Sequence, residues 1–357
     1  MAFGTFFYPG PTEVRPEILA AMQRPMIPHR GKEFEELFGE IMERLRPVFR
    51  TRRPVYVSTS SATGMMEAGL RCAPPGPVLS LVNGAFSERF AAIARACGRD
   101  TTEVDFPPGR AVDPDVARAE LAKRQYAALT VVHSETSTGA QTQIPPIASA
   151  AQEHGTRILV DSVTGVGGAR LEMDEWWLDF ALTGSQKALA LPPGLAFGVA
   201  SDRFTSDAQR TPDRGLYFDL VEFEKFARKK QTPNTPAVSL LYALDAQLGA
   251  IEGEGMEARW ARHAAMAKRT WEWAASLGLE IVAPEGERAM TVSAIRLPEG
   301  RKPGDLVNAV KERGYVIGGG YGALRETTFR IGHMGDHTLE GLEGCLAAVA
   351  DALTTMD

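Results

Sequence analysis

The chain has 357 residues, 44% hydrophobic and 24% charged, with a formal net charge of −6. That length can bury a large core and suits one sizeable domain plus a smaller one. The acidic balance disfavours a nucleic-acid partner, because binders of polyanions carry a basic face that releases counterions. The start, Met1 to Gly10, lacks the basic opening and apolar stretch of a signal peptide, and no apolar run is long enough to span a bilayer; a cytoplasmic protein without a membrane partner is expected. Cys72, Cys97 and Cys345 are far apart in helical contexts, which suits reduced packing residues. The histidines are scattered without zinc-ligand spacing, so no metal is expected.

From Val55 to Ala200 short apolar runs alternate with helical segments, the pattern of a mostly parallel sheet covered by helices on both faces. The spacing predicts strands at Val55–Ser58, Val78–Val82, Ala127–Val132, Ile158–Asp161, Phe180–Thr183 and Leu195–Ala200. Helices are predicted at Ala62–Arg71, at Ser87–Ala96 ending at Gly98, and at Ile147–His154 ending at Gly155, where glycine can take the left-handed terminating conformation. A long helical stretch follows, from Val238 to Ala275. Then come strands Met290–Leu297, Tyr315–Ile317 and Thr327–Ile331 with helices between, a small α+β unit. The two glycines of Glu252-Gly253-Glu254-Gly255 mark the expected boundary. The reading is an N-terminal segment over 1–15, a large domain over 16–252 and a small C-terminal domain over 253–357.

Ligands of open parallel sheets bind beyond the carboxyl ends of the strands, and polar residues gather there. Lys187 follows Gly184-Ser185-Gln186 at such an end among apolar neighbours, which disfavour its charged form and free its amine to attack an aldehyde or carry a proton; the alternative is an ordinary surface lysine. Asp161 ends the apolar run from Ile158, where a buried carboxylate needs a cationic or donor partner, or else it is a turn aspartate. Ser61-Ala62-Thr63-Gly64 opens a helix, so free N–H groups and hydroxyls could take a phosphate there, or serve only as a cap. Phe86 could stack on a flat ring or be core.

The chain resembles the class V aminotransferases of pyridoxal-phosphate (PLP) fold type I, among them the alanine–glyoxylate and serine–pyruvate enzymes. The matching stretches are Pro9-Gly10-Pro11-Thr12, Asn83-Gly84-Ala85-Phe86, His133-Ser134-Glu135-Thr136-Ser137-Thr138-Gly139, Gly184-Ser185-Gln186-Lys187 with Pro192-Pro193-Gly194, Thr232-Pro233-Asn234-Thr235-Pro236 and Phe329-Arg330-Ile331-Gly332. The resemblance implies a mostly parallel seven-stranded sheet sandwiched by helices, with a smaller C-terminal α+β domain. It implies pyridoxal 5'-phosphate as cofactor, bound to Lys187 as a Schiff base, with Asp161 on the pyridine nitrogen, Val163 beneath the ring and Phe86 above it. Ser61, Ala62, Thr63 and Gln186 would hold the phosphate, and Thr136 the ring hydroxyl or substrate. Thr232 and Thr235 would reach the phosphate of the neighbouring subunit of a homodimer. Family members often carry glycine and histidine where this chain has Ala62 and Thr63, tryptophan or tyrosine at Phe86, and in some cases tyrosine at Thr232.

Arg330 is the candidate for the substrate carboxylate, since its guanidinium fork matches two carboxylate oxygens. Gly10, in the first matching stretch, falls with it in the substrate-binding set. The implied reaction is a ping-pong transfer of an amino group from a small amino acid, alanine or serine, to a 2-oxo acid, glyoxylate or pyruvate. A second reading rests on Pro28-His29-Arg30-Gly31, similar to the segment with which phosphoserine aminotransferases hold the substrate phosphate; His29 and Arg30 would then bind substrate. An aminoethylphosphonate donor, with Arg330 on the phosphonate, is a third. Cysteine desulfuration needs a cysteine on a mobile loop, and none of the three is so placed.

Overall fold

The computed structural model describes residues 3–355. Its strands, in chain order, are β1 (Phe6–Phe7), β2 (Tyr56–Ser58), β3 (Val78–Val82), β4 (Thr101–Asp105), β5 (Ala128–Val132), β6 (Ser134–Glu135), β7 (Ala140–Gln141), β8 (Arg157–Asp161), β9 (Phe180–Gly184), β10 (Ala196–Ala200), β11 (Val292–Arg296), β12 (Val316–Gly319) and β13 (Thr328–Gly332). Seven of them form the large sheet in the order β2-β10-β9-β8-β5-β3-β4. All run parallel except β10, which is antiparallel to both neighbours.

The inner strands β3, β5, β9 and β10 are buried along their whole length, as strands covered on both faces must be. Side chains alternate between two cores. Ile158 and Val160 of β8 join the core packed by Phe34, Ile41 and Leu45 of helix Lys32–Phe49. Leu159 joins the opposite core, with Met65 and Phe90 of helices Ala62–Cys72 and Ala85–Ala96. This arrangement places the carboxyl ends of β2, β3, β5, β8 and β9 along one edge.

The second sheet runs β1-β12-β13-β11. Phe7, Ile317, Phe329 and Ile331 pack there on Leu346 and Val349 of helix Leu339–Thr354. Because β1 pairs in parallel with β12 (Phe6 opposite Val316), the N-terminus is anchored in this C-terminal sheet. From there it crosses to the large sheet, where Thr12 N–H donates to Gln186 O at 2.9 Å and Thr12 Oγ1 to Lys187 O at 3.0 Å.

The predicted strands stand, with ends moved by a residue or two, and Gly98 and Gly155 have the left-handed φ expected of helix terminators. The predicted helical stretch from Val238 to Ala275 is two helices, Val238–Glu254 and Met256–Ser276, broken at Gly255, whose φ is 80°. Edge strand β4 was not predicted; its sequence Thr-Thr-Glu-Val-Asp is half solvated and carries no apolar run. No helix among the described residues is long and apolar enough to cross a membrane. No cluster of metal-ligating side chains occurs among them.

Candidate active site

Lys187 lies three residues beyond β9. The turn that carries it is closed by Ser185, whose N–H donates to Leu195 O (2.9 Å) and whose Oγ donates to Pro192 O (2.7 Å). The side chain is buried and its amine donates to the Pro9 carbonyl. Burial, and then repulsion by Arg330, push its pKa down to about 7, against the opposing attraction of Asp161 and Glu135. An amine so placed is substantially uncharged near neutrality and is a competent nucleophile and base.

Asp161 closes β8 and is also buried. Its Oδ1 accepts from Val163 N–H at 2.8 Å, while among the described residues no donor reaches Oδ2. Burial raises its pKa to about 7, with a further push from Glu135 and relief from Lys187 and Arg89. A carboxyl group in that state is stabilised as the anion by any cationic N–H brought to it.

Helix Ala62–Cys72 starts from Ser61 without a side-chain cap. Gly64 N–H donates to Ser61 O at 2.9 Å, which leaves the N–H groups of Ala62 and Thr63 for an anion, and the helix dipole favours one there. One cavity of about 200 Å³ brings together Ser61, Ala62, Thr63, Phe86, Thr136, Asp161, Val163, Gln186 and Lys187, with Arg89 and Thr164 also on its wall. The Lys187 Nζ lies 5.9 Å from the centre of the Phe86 ring. Val163 O accepts from Thr183 Oγ1 at 3.1 Å, tying the residue after Ser162 to β9.

Arg330, on β13, is buried at the rim. Its Nε donates to Gly319 O (2.9 Å) and one terminal nitrogen to Thr136 O (3.1 Å), and its guanidinium sits 5.3 Å from the Tyr321 ring centre. Tyr321 in turn stacks on Phe86, 5.8 Å between centroids and 9° between planes. Tyr8, Tyr321 and Arg330 line a cleft of about 550 Å³. Gly10 packs against Lys187 with no room for a side chain.

Four expected residues lie elsewhere in the chain. Arg30 donates to Thr232 O at 2.7 Å and Pro233 O at 3.3 Å, and His29 precedes it on the partly exposed approach to helix Lys32–Phe49. Thr232 and Thr235 line a separate small cleft with Thr59 and Tyr217. No cysteine lines the cavity: Cys72 closes a helix with its thiol pushed up to about 12 by burial, Cys97 caps the next, and Cys345 is buried in the last. In the sequence Glu135 stands only as part of a motif, Thr164 only as one of the polar residues after a strand, and Arg89 and Tyr321 carry no mark. The signal for Glu135 was a carboxylate flanked by hydroxyl residues; for Arg89 it was a position one helical turn after Phe86.

A family model described as aminotransferase class-V matches residues 6–328. An uncharacterized aminotransferase of Methanocaldococcus jannaschii is 37% identical over 92% of this chain and 86% of its own length. The L-aspartate–glyoxylate aminotransferase of Paracoccus denitrificans is 32% identical over 97% of this chain and 91% of its own. The solved structure of an alanine–glyoxylate aminotransferase from Nostoc superimposes with a TM-score of 0.93 at 30% identity, covering 98% of this chain and 95% of that one. The chain belongs to the class V aminotransferases, and it is a pyridoxal-phosphate-dependent transaminase.

Proposed function

We propose that the enzyme moves an amino group from a small amino acid, alanine or serine, to a 2-oxo acid, glyoxylate or pyruvate, with Lys187, Asp161 and Arg330 carrying the chemistry. The observation that carries this reading is the buried, readily deprotonated Lys187 amine facing one cavity with Asp161 and the uncapped helix start at Ser61–Thr63. The residues fit the cofactor: among the described residues no donor reaches Oδ2 of Asp161, the N–H groups of Ala62 and Thr63 have no side-chain cap, and Phe86 offers a flat face. When bound, pyridoxal phosphate supplies an aldehyde for an amine and a protonated ring that draws electrons from the substrate's α-carbon. The glyoxylate in the names of the Paracoccus and Nostoc relatives supports that acceptor.

Ser61, Ala62, Thr63 and Gln186 would hold the phosphate, Asp161 the ring nitrogen, and Val163 and Phe86 the two ring faces, with Thr136 near the ring hydroxyl. Arg330 keeps donors free after its bonds to Gly319 and Thr136 and would take the substrate carboxylate, turning the α-C–H bond toward Lys187. Lys187 would take the α-carbon proton and return it during group transfer. Water would release the donor as a 2-oxo acid, leaving its amino group on the cofactor, and the acceptor oxo acid would take that group up by the same steps reversed.

We place the cofactor-holding part at 16–252 and the small part at 253–357, with 1–15 as a strap; Gly255 and the Pro9–Lys187 contact support that division. Residues 1, 2, 356 and 357 of those spans lie outside the described residues. Thr232 and Thr235, held on a loop outside their own cavity, would serve the neighbouring subunit of a homodimer. An absorbance spectrum with and without borohydride, followed by mapping of the reduced adduct, tests the central claim. Lys187 is the expected site, and a protein that cannot be loaded with PLP, or an adduct on another lysine, overturns it. Rates with alanine, serine, phosphoserine and aminoethylphosphonate against glyoxylate, pyruvate and 2-oxoglutarate then fix the substrate pair.

A further inference from the structure

Glu135 is a fully buried carboxylate in the short hairpin of β6 and β7, and its side chain bonds to the turn that carries Phe86 and to Ser137 of its own hairpin. Oε2 accepts from the N–H groups of Phe86 and Ser87, both at 3.1 Å, and from Ser87 Oγ at 3.3 Å. Oε1 accepts from Ser137 N–H at 3.1 Å and Ser137 Oγ at 2.6 Å. The carboxylate thus holds the N-terminus of helix Ala85–Ala96, where an anion is favoured by the free N–H groups and the dipole. The fit is close: a Cβ on Gly84 would come within 2.6 Å of Glu135 Cγ and 2.7 Å of Ser137 Oγ. Glycine at 84 therefore lets the carboxylate reach the helix.

We propose that Glu135 is a positioning residue: its buried charge clamps the turn that aims Phe86 over the cavity and balances the cationic groups of the site. The next residue completes the device, since the Thr136 carbonyl accepts from Arg330. One short hairpin thereby sets both the face above the ring and the group for the substrate carboxylate. The charged groups around Lys187 are Arg330, Asp161 and Glu135, with Arg89 acting on Asp161; Tyr8 and Tyr321 face Arg330, and buried His133 adjoins the hairpin. Glu135 attracts the cationic forms of Lys187 and Arg330, while it repels the Asp161 carboxylate and adds to the rise of its pKa.

The inference rests on the aminotransferase reading, which the borohydride adduct on Lys187 of the wild type reports independently of any change at Glu135. The test compares wild-type holoenzyme with Glu135→Gln and Glu135→Ala, following the pH titration of the Lys187-bound cofactor's absorbance, its visible circular dichroism and the cofactor Kd. Glutamine keeps an oxygen for Phe86 and Ser87 but removes the charge. Its amide nitrogen can no longer accept from the Ser137 N–H, so its dichroism and Kd should shift no more than those of Ser137→Ala, while the titration midpoint falls by about one pH unit, since a cationic form loses a nearby anion. Alanine loses the clamp as well, and should weaken cofactor binding by about tenfold and diminish the dichroism. A glutamine variant titrating at the wild-type midpoint overturns the charge balance. An alanine variant with wild-type dichroism and Kd overturns the clamp; should it not fold, Ser137→Ala, which loosens Oε1 alone, gives the same readout on a smaller scale.

Discussion

Lys187 and Gly10 meet so closely that a methyl group at position 10 would overlap the lysine's Nζ, Cδ and Cε. Gly10 also has φ of 112°, a conformation that side-chain-bearing residues rarely adopt. Gly10→Ala should therefore displace the Lys187 amine by about 1 Å, and misplacement on that scale costs on the order of 100-fold in rate. Single-turnover kinetics of the loaded enzyme check this. A variant within about threefold of wild type would show that the strap yields without moving the lysine.

The perturbed pair gives the protein a pH dependence whose sign can be worked out before the cofactor is added. Lys187 titrates at about 7 when folded and near 10.5 when unfolded. Between those values the unfolded chain binds more protons, so this group's contribution makes stability rise with pH. Lys187→Met removes that cost, so its apoprotein should melt above wild type at pH 7, with the gap closing toward pH 10.5. Asp161 behaves oppositely, moving from about 3.8 unfolded to about 7 folded. The folded state there holds the extra proton, and its contribution declines as pH rises through that window. Asp161→Asn should match wild type near pH 4 and exceed it above pH 7. Melting curves of the three apoproteins across pH decide both signs.

The places of Lys187 and Asp161 were legible in the sequence because Asp161 ends an apolar run and Lys187 follows one across a short polar turn, and strand-end position in an α/β sheet is readable from that pattern. The reversed direction of β10 was not, because a strand buried on both faces has the same composition whichever way it runs. Nor was the joining of Phe6–Phe7 to the C-terminal sheet, a two-residue pairing across more than three hundred positions. Glu135 shows the same limit within the site. Besides Ser137 nearby, its partners are 48 and 49 residues away at Ser87 and Phe86, so only the folded chain reveals that the carboxylate is satisfied and what it holds. Conversely, Arg30 looked like an anion binder by its neighbours, and in the fold it holds carbonyls.

Arg330 combines burial, two hydrogen bonds to carbonyls and an aromatic face, an arrangement suited to a planar guanidinium and not to an ammonium. Arg330→Lys should therefore be no conservative change. We expect kcat/KM for the amino donor to fall by about 100-fold, close to the loss of a paired charge-assisted contact, with a similar loss for the 2-oxo acid because both present a carboxylate. The absorbance of the unliganded holoenzyme should be retained. Losses confined to one substrate would place the carboxylate on another group.

Replacement of Arg30 separates the two roles open to it and His29. Arg30 donates to Thr232 O and Pro233 O, packs its guanidinium 5.2 Å from the Phe226 ring centre, and so secures the loop that carries Thr232 and Thr235. If the loop serves the neighbouring subunit's phosphate, Arg30→Ala should raise the cofactor Kd by about tenfold, the loss of hydrogen bonds from a charged donor, and weaken the dimer. The ratio of kcat/KM for phosphoserine to that for alanine should not move, since both donors meet the same disturbed loop. Were Arg30 instead to hold a substrate phosphate, that ratio would collapse while cofactor binding stayed intact. Steady-state kinetics with the two donors, alongside cofactor titration and sedimentation of the same preparations, distinguish the cases because each reading moves a different quantity.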